Sequence, residues 1–177
     1  MAGSAGQEGM MGSSLDDRFA QLVHEHSAAV GNYLRRRLYP LTSADLDDLV
    51  EETFIVVWRR IAEVPVGAEL PWTIGVARNV LRNARRSKQR RSRFESSLVP
   101  RADDPSAEDH VIADSSVRDA LFQLGDDDRE ILLLNAWDGL DTKALATVLS
   151  TTTNAAAVRL SRAQARFRAA FAAADVD

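Results

Sequence analysis

The stretch TKALATVLSTTTNAAAVRLSRAQARF, residues 142–167, decides the fold of this chain. Apolar residues recur at helical spacing on both sides of a polar turn at Ser150 and Thr151, which predicts a short helix followed by a long one. We expect the pair to pack through small and aliphatic residues, Leu145, Ala146 and Leu149 on the first helix and Ala156 and Leu160 on the second. This layout is typical of a helix-turn-helix.

The second helix of this pair carries residue types that bind nucleic acid. Three polar residues at its start can reach base edges or phosphates in a major groove: Thr152, Thr153 and Asn154. Arg159, Arg162 and Arg166 follow at three- and four-residue spacing, so they line one face and can neutralise backbone phosphates. An ordinary helical hairpin with a solvated basic face is the alternative that this spacing leaves open.

Three further amphipathic helices are predicted in the first half of the chain. The first begins near Phe19 and ends before Pro40. The second has Ser43 as its N-cap and ends near Ala62. The third begins at Pro71, because a proline at the first helical position loses no hydrogen bond.

The second predicted helix opens with five carboxylates: Asp45, Asp47, Asp48, Glu51 and Glu52. Acids in a first turn complement the helix dipole, but five exceed what capping requires. We therefore predict a docking surface for a basic partner, formed by the exposed acids beside Ile55. A metal site is the alternative, but no histidine lies at ligand spacing, and we expect no bound metal or cofactor.

The third predicted helix is cationic on the face opposite its apolar stripe. Residues 78–93 include eight Lys or Arg and no acid, whereas residues 103–119 include six acids and one Arg. The net charge is −4, so the chain separates its charges along the sequence rather than being basic overall. The run predicts a surface for nucleic acid or another polyanion, with a solvated charged face as the alternative. Trp72 either stacks on an unpaired base or lies in the core.

Composition excludes several classes of protein. The absence of Cys excludes disulfides and thiolate chemistry, and no apolar run approaches the roughly 20 residues of a membrane span. Neither a secretory signal nor a catalytic motif is recognisable, and His24, His26 and His110 lack suitably spaced acids. We expect a cytoplasmic protein that is not an enzyme.

The chain is predicted to be all-α, with two small helical domains joined by a flexible acidic linker. Residues 1–14 are expected to be a flexible leader, within which Met10 or Met11 is an alternative start. The first domain spans residues 15–95, the linker residues 96–112, and the second domain, which holds the helix-turn-helix, residues 113–177.

Three segments together resemble the extracytoplasmic-function sigma factors, the smallest type of bacterial sigma-70 family protein. They are DLDDLVEETFIVVW at 45–58, LPWTIGVARNVLRNARR at 70–86, and LGDDDREILLLNAWDGLDTKALATVL at 124–149 followed by AAAVRLSRAQARF at 155–167. The resemblance covers about residues 15–95 and 113–172, and all three segments occur in the family's order and spacing.

The resemblance implies a subunit that directs core RNA polymerase to promoters and helps to melt them. The first domain would be sigma domain 2, whose acidic helix contacts the β′ clamp helices through Asp48, Glu51, Glu52 and Ile55. Its basic helix and the preceding loop, residues 62–70, would bind the minus-ten element, with helix positions Trp72, Arg78, Asn79, Arg82 and Arg86. The second domain would be sigma domain 4, which contacts the β flap and reads the minus-thirty-five element with Thr152, Thr153, Asn154, Arg159 and Arg162. The family also implies an anti-sigma factor as a partner.

Several positions depart from the family pattern. Glu51 stands where Gln is common, and Val56 stands where a basic residue is common. In the recognition helix, residues 155–157 are alanines in place of a Thr-Val-basic run, so readout would depend on Asn154, Arg159 and phosphate contacts. Ser150 occupies a turn position usually held by Gly, for which we expect a slightly different turn geometry.

Two other classes of protein are compatible with parts of the sequence. One is a free-standing helix-turn-helix repressor, which the single recognition helix disfavours because repressors usually dimerise on two half-sites. The other is an interaction module that sequesters a partner. Co-purification with polymerase separates both from a sigma factor.

Overall fold

The computed structural model describes residues 5–95 and 115–174. Within these ranges the α-helices are α1 Ala5–Arg36, α2 Leu46–Arg59, α3 Glu69–Glu95, α4 Ser115–Phe122, α5 Asp126–Ala136, α6 Thr142–Val148 and α7 Thr153–Ala174. Two short 3-10 helices, Ser43–Asp45 and Ile61–Glu63, flank α2. The described ranges contain no strand, which confirms the all-α prediction. No described helix has the length and apolar character to span a membrane.

The start of α1 differs from the sequence prediction. Residues 5–14 were expected to belong to a flexible leader, but they form the first turns of α1. This segment contains three Gly and two Ser and has no apolar stripe, so neither helix propensity nor periodicity predicts a helix there. The predicted linker, residues 96–112, lies outside the described residues.

The turn before α2 is capped one residue earlier than predicted. Thr42, rather than Ser43, precedes the 3-10 helix, and both its backbone N–H and its hydroxyl donate to Asp45 Oδ2, at 2.7 and 2.8 Å. The backbone hydrogen bond from Thr42 is the main reason why the pKa of Asp45 lies below its ordinary value. One of the five acids is therefore explained by local structure.

Other helix boundaries shift by a few residues. α2 ends at Arg59 instead of near Ala62, because a 3-10 helix takes over at Ile61. α3 begins at Glu69, so Pro71 lies within its first turn, where a backbone N–H has no intrahelical partner in any case.

The helices of the first half pack around a shared apolar core. α1, α2 and α3 all contact one another, and the residues buried between them include Leu22, Val30, Tyr33, Leu34, Leu49, Phe54, Val57, Val76, Ala77, Val80 and Leu81. Thr53 is fully buried in this core. Its hydroxyl donates a hydrogen bond to Leu49 O at 2.7 Å, so the buried polar group is satisfied.

In the second half of the chain, which comprises the described residues 115–174, α7 packs against α4, α5 and α6. The α6 and α7 pair has the packing predicted for it, with Leu145, Ala146 and Ala156 buried and Leu149 and Leu160 packed against the same cluster. Ser150, in the turn between them, has φ of 52°. This is the left-handed region that glycine favours, so a serine adopts here the backbone conformation that its position requires.

The two halves pack directly against each other. α3 lies on α6, and the backbones approach so closely that a Cβ added at Gly75 would lie 3.3 Å from Val148 O. Buried residues of both halves, from Val76 and Ala77 to Leu145 and Val148, belong to one continuous cluster. The sequence pattern predicted the two halves but not this joint core.

Candidate nucleic-acid interface

α3 presents a polar, cationic edge to solvent. Asn79, Arg82 and Arg86 are exposed at three- and four-residue spacing, so they share one face of the helix. The opposite stripe is buried in the core of the first half. The predicted division of this helix into an apolar and a cationic side is therefore confirmed.

Arg78 is also among the site residues predicted on α3, but its side chain contacts α5 instead of extending into solvent. Its guanidinium forms a bidentate pair with Glu130 on α5, with Nε at 2.8 Å from Oε1 and Nη2 at 2.7 Å from Oε2. The two side chains are only 12% and 22% exposed, and the hydrogen bond with Glu130 raises the pKa of Arg78. The side chain of Arg78 is therefore held against α5, in the second half of the chain.

The loop before α3 is held in place by an arginine of α1. Arg18 on α1 donates to Ile61 O at 3.1 Å and to Val64 O at 2.5 Å. At its tip, Gly67 has φ of 77° and the neighbouring Val66 is 90% exposed. The loop therefore displays an apolar side chain to solvent on an anchored backbone.

Trp72 lies at the junction of this loop with α3. The tryptophan is half-buried against the core, and the guanidinium carbon of Arg60 lies 5.2 Å from its ring centroid. Arg60 also pairs with Glu63 at 2.6 Å, and this contact raises the pKa of Arg60. The two sequence interpretations of Trp72, core residue or stacking platform, are both compatible with this placement.

A cleft of about 540 Å³ separates α3 from α5. Arginines dominate its α3 wall, and the start of α5 forms the other wall; the lining residues are Arg37, Arg78, Arg82, Arg85, Arg86, Gly125, Asp126, Asp127, Arg129, Glu130 and Leu133. The arginines of α3 therefore face Asp126 and Asp127, at the start of α5, across this open cleft.

A second set of charges, not predicted from the sequence, joins the halves beside this cleft. Asp138 is 3% exposed and accepts hydrogen bonds from Arg36 and from Arg37 Nη2, the latter at 2.7 Å. The guanidinium carbon of Arg37 lies 4.3 Å from the ring centroid of Tyr33, whose pKa is raised by burial. The only sequence signal for this cluster was the triple-arginine run at the end of α1.

Helix α7 exposes most of the residues that were predicted to contact DNA. Thr153, Asn154 and Arg162 are exposed, whereas Thr152 caps the helix, with its Oγ1 accepting from Ala155 N at 3.1 Å. Arg159 Nη2 lies 3.1 Å from Asp127 Oδ2 on α5. The predicted residues therefore lie at the start of α7 and along one of its faces.

The acidic helix α2 also presents the predicted face. Asp48, Glu51 and Glu52 are exposed, and Ile55 is 41% exposed beside them. Trp58, which is 42% exposed, was not among the predicted site residues. It extends this face into a shallow groove of about 460 Å³ lined by Asp16, Phe19, Glu51, Phe54, Ile55 and Trp58.

Comparison with known proteins identifies the family. The model of sigma-70 region 2 matches residues 22–91, which include α2 and most of α3. The chain is 29% identical over 160 residues to the RNA polymerase sigma factor NccH of Alcaligenes xylosoxydans xylosoxydans, with 85% of each protein covered. These matches support the assignment of the chain to the extracytoplasmic-function group of the sigma-70 family, as a sigma factor of transcription initiation.

Further similarities of this sigma factor extend over both halves. It is 27% identical over 161 residues to the RNA polymerase sigma factor CarQ of Myxococcus xanthus, covering 86% of this chain and 88% of CarQ. Its fold resembles that of the sigma factor RpoE in the co-crystal structure with the anti-sigma factor NepR from Bartonella quintana. The TM-score is 0.59 and the identity 19%, with 86% of this chain and 95% of that chain covered.

The described residues of this sigma factor offer no cluster of three or more His, Asp or Glu side chains arranged to hold a metal ion. The acids of α2 instead spread along an exposed helix face beside apolar side chains. Such a face is suited to a protein contact rather than to cation coordination, which needs converging oxygens.

Proposed function

We propose that this sigma factor binds core polymerase through α2, captures the minus-ten element with α3 and its preceding loop, and reads the minus-thirty-five element with α7. One observation carries the proposal: two neighbouring helices expose opposite chemistry. α2 exposes carboxylates around Ile55 and Trp58, whereas α3 exposes Arg82 and Arg86. One surface can hold a protein while the other holds DNA.

The polymerase contact is proposed for the groove on α1 and α2. Exposed Ile55 and Trp58 supply apolar area, and Glu51 at the rim supplies charge. An apolar centre with a charged rim is the usual anatomy of a protein interface. A basic helical partner such as the β′ clamp helices has the complementary chemistry.

The minus-ten contact is proposed for the exposed edge of α3. Arg82 and Arg86 would pair with phosphates, and Asn79 would reach a base edge. The exposed Val66 and the half-buried Trp72 place apolar surface beside an unstacked base, which favours strand opening. Arg78 would join this contact only by exchanging its hydrogen bonds with Glu130 for DNA.

The minus-thirty-five contact is proposed for the start and the arginine face of α7. Thr153 and Asn154 are exposed at the end of the helix that enters a major groove in helix-turn-helix proteins. Arg159 and Arg162 would contact phosphates, while Thr152 would position the helix as its cap. The second half would also contact the β flap of the polymerase.

An anti-sigma factor is a further proposed partner. A protein of the same fold is held by an anti-sigma factor in its solved structure. A partner that covers the groove of α2 would block polymerase binding, because both need Ile55 and Trp58.

The test is transcription in vitro with purified core polymerase and a promoter library. The variant Arg82→Ala with Arg86→Ala should lower open-complex formation by about ten-fold or more, since each charge-assisted hydrogen bond contributes on the order of 1.5 kcal/mol. The slope of log affinity against log salt should fall by about one for each arginine.

The control variant is Arg35→Ala with Arg168→Ala, which removes the same charge from exposed positions outside the proposed contacts. It should leave transcription close to wild type. Unchanged transcription by the α3 variant would contradict the minus-ten assignment. A wild-type chain that neither binds core polymerase nor directs it to any start site would contradict the whole proposal.

A further inference from the structure

The first turn of α5 consists of three aspartates, and each forms an ion pair with an arginine. Asp126 pairs within its own helix, with Oδ1 at 3.4 Å from Arg129 Nη1. Asp127 and Asp128 instead reach across to α7, where Asp127 Oδ2 lies 3.1 Å from Arg159 Nη2 and Asp128 pairs with Arg166. Two successive acids therefore connect α5 to the recognition helix.

These two pairs involve the face of α7 that is proposed to contact phosphates. Arg159, Arg162 and Arg166 lie three and four residues apart, and this spacing places them on one side of the helix. Among the residues that the structure describes, Arg162 has no carboxylate within ion-pair distance. On this face of α7, Arg159 and Arg166 are therefore paired with aspartates of α5, whereas Arg162 is not.

The pairs are exposed enough to exchange with another anion. In the Arg159 pair the arginine and aspartate are 36% and 77% exposed, and in the Arg166 pair they are 61% and 15% exposed, so both arginines are accessible. Solvent-exposed ion pairs contribute about 0–1 kcal/mol, so a DNA phosphate can displace the carboxylate. Displacement nevertheless costs the energy of the pair.

We propose that Asp127 and Asp128 set the DNA affinity of α7 by competing with promoter phosphates for Arg159 and Arg166. The inference rests on the proposed function, in which α7 binds the promoter. Phosphate contacts are independent of sequence, whereas base contacts discriminate. Weakening the phosphate contacts increases the share of the binding energy that Thr153 and Asn154 can supply by readout of bases.

The test uses holoenzyme reconstituted from core polymerase and the full chain. Asp127→Asn should bind both a promoter duplex and a scrambled duplex about two- to five-fold more tightly at moderate salt, the range expected for one exposed pair. Asp126→Asn is the matched control, because it removes the same charge from the adjacent residue, but its partner Arg129 lies on α5. Its effect should be smaller than that of Asp127→Asn.

A second control separates competition from general repulsion. In an Arg159→Ala background the Asp127→Asn change should have no effect on affinity, because the contested arginine is gone. The inference is overturned if Asp127→Asn leaves affinity unchanged, if Asp126→Asn has an equal effect, or if the gain persists without Arg159. In each of these cases wild-type holoenzyme still initiates transcription, whereas its failure to bind any promoter would overturn the proposed function as well.

Discussion

The arginines of α3 and of α7 are both paired with carboxylates of the second half, but the two sets of pairs differ in burial. The contacts that join the halves are largely buried: Arg78 with Glu130, and Arg36 and Arg37 with Asp138. In the contacts between α5 and α7, Arg159 and Arg166 are 36% and 61% exposed and Asp127 is 77% exposed, although Asp128 is only 15% exposed. The first set is part of the packed interior, whereas the arginines of the second set are accessible to solvent.

This difference has a consequence for how each helix would engage DNA. Arg159 can exchange a carboxylate for a phosphate without any rearrangement of helices, since its pair is at the surface. Arg78 is held by two hydrogen bonds and is only 12% exposed, so Glu130 shields it from other anions more than Asp127 shields Arg159. Under the proposed function, a DNA contact through Arg159 would therefore need less rearrangement than one through Arg78.

The largest effect is expected where the pairing is most buried. Asp138→Asn should lower the free energy of unfolding by about 3 kcal/mol, because it removes the charge of a side chain that is only 3% exposed and pairs with Arg36 and Arg37. Denaturant titration measures this loss. Asp119→Asn, at a 60% exposed position, is the control and should change stability by less than about 1 kcal/mol. A loss no larger than that of the control would show that the buried cluster does not stabilise the joint core.

An intermediate effect is expected at the partly buried pair. Glu130→Gln should cost about 1–2 kcal/mol, since it weakens a bidentate, charge-assisted contact with Arg78 but retains one acceptor oxygen. The control is Glu25→Gln, an exposed glutamate whose hydrogen bond to Gln21 stays on α1. Equal stability of the two variants would remove the distinction between buried and exposed pairs.

The smallest effect is expected between α5 and α7. Arg166→Ala should change the free energy of unfolding by less than about 1 kcal/mol, because the arginine is exposed and Asp128 keeps a favourable position at the start of α5. High salt should shrink the difference further. A loss as large as that of Asp138→Asn would contradict the surface character of this pair.

Local features of the chain were predictable because they depend on neighbouring residues. The apolar stripe of α2 and the turn at Ser150 follow from side-chain spacing and turn chemistry. The cationic face of α3 was found for the same reason: residues three and four apart share a helix face in any tertiary context. The helical start of α1 could not be predicted, because residues 5–14 include three Gly and two Ser and show no apolar periodicity.

The helical character of this chain, the separation of its charges and the resemblance of its segments to a sigma factor could all be read from the sequence. The packing of α3 on α6 and the pairing of Arg78 with Glu130 and of Arg159 with Asp127 are visible only in the folded chain. These pairs join residues that are 52 and 32 positions apart, which is beyond the reach of any local pattern. Helical periodicity reports which face a residue occupies on its own helix, but not which helix lies opposite.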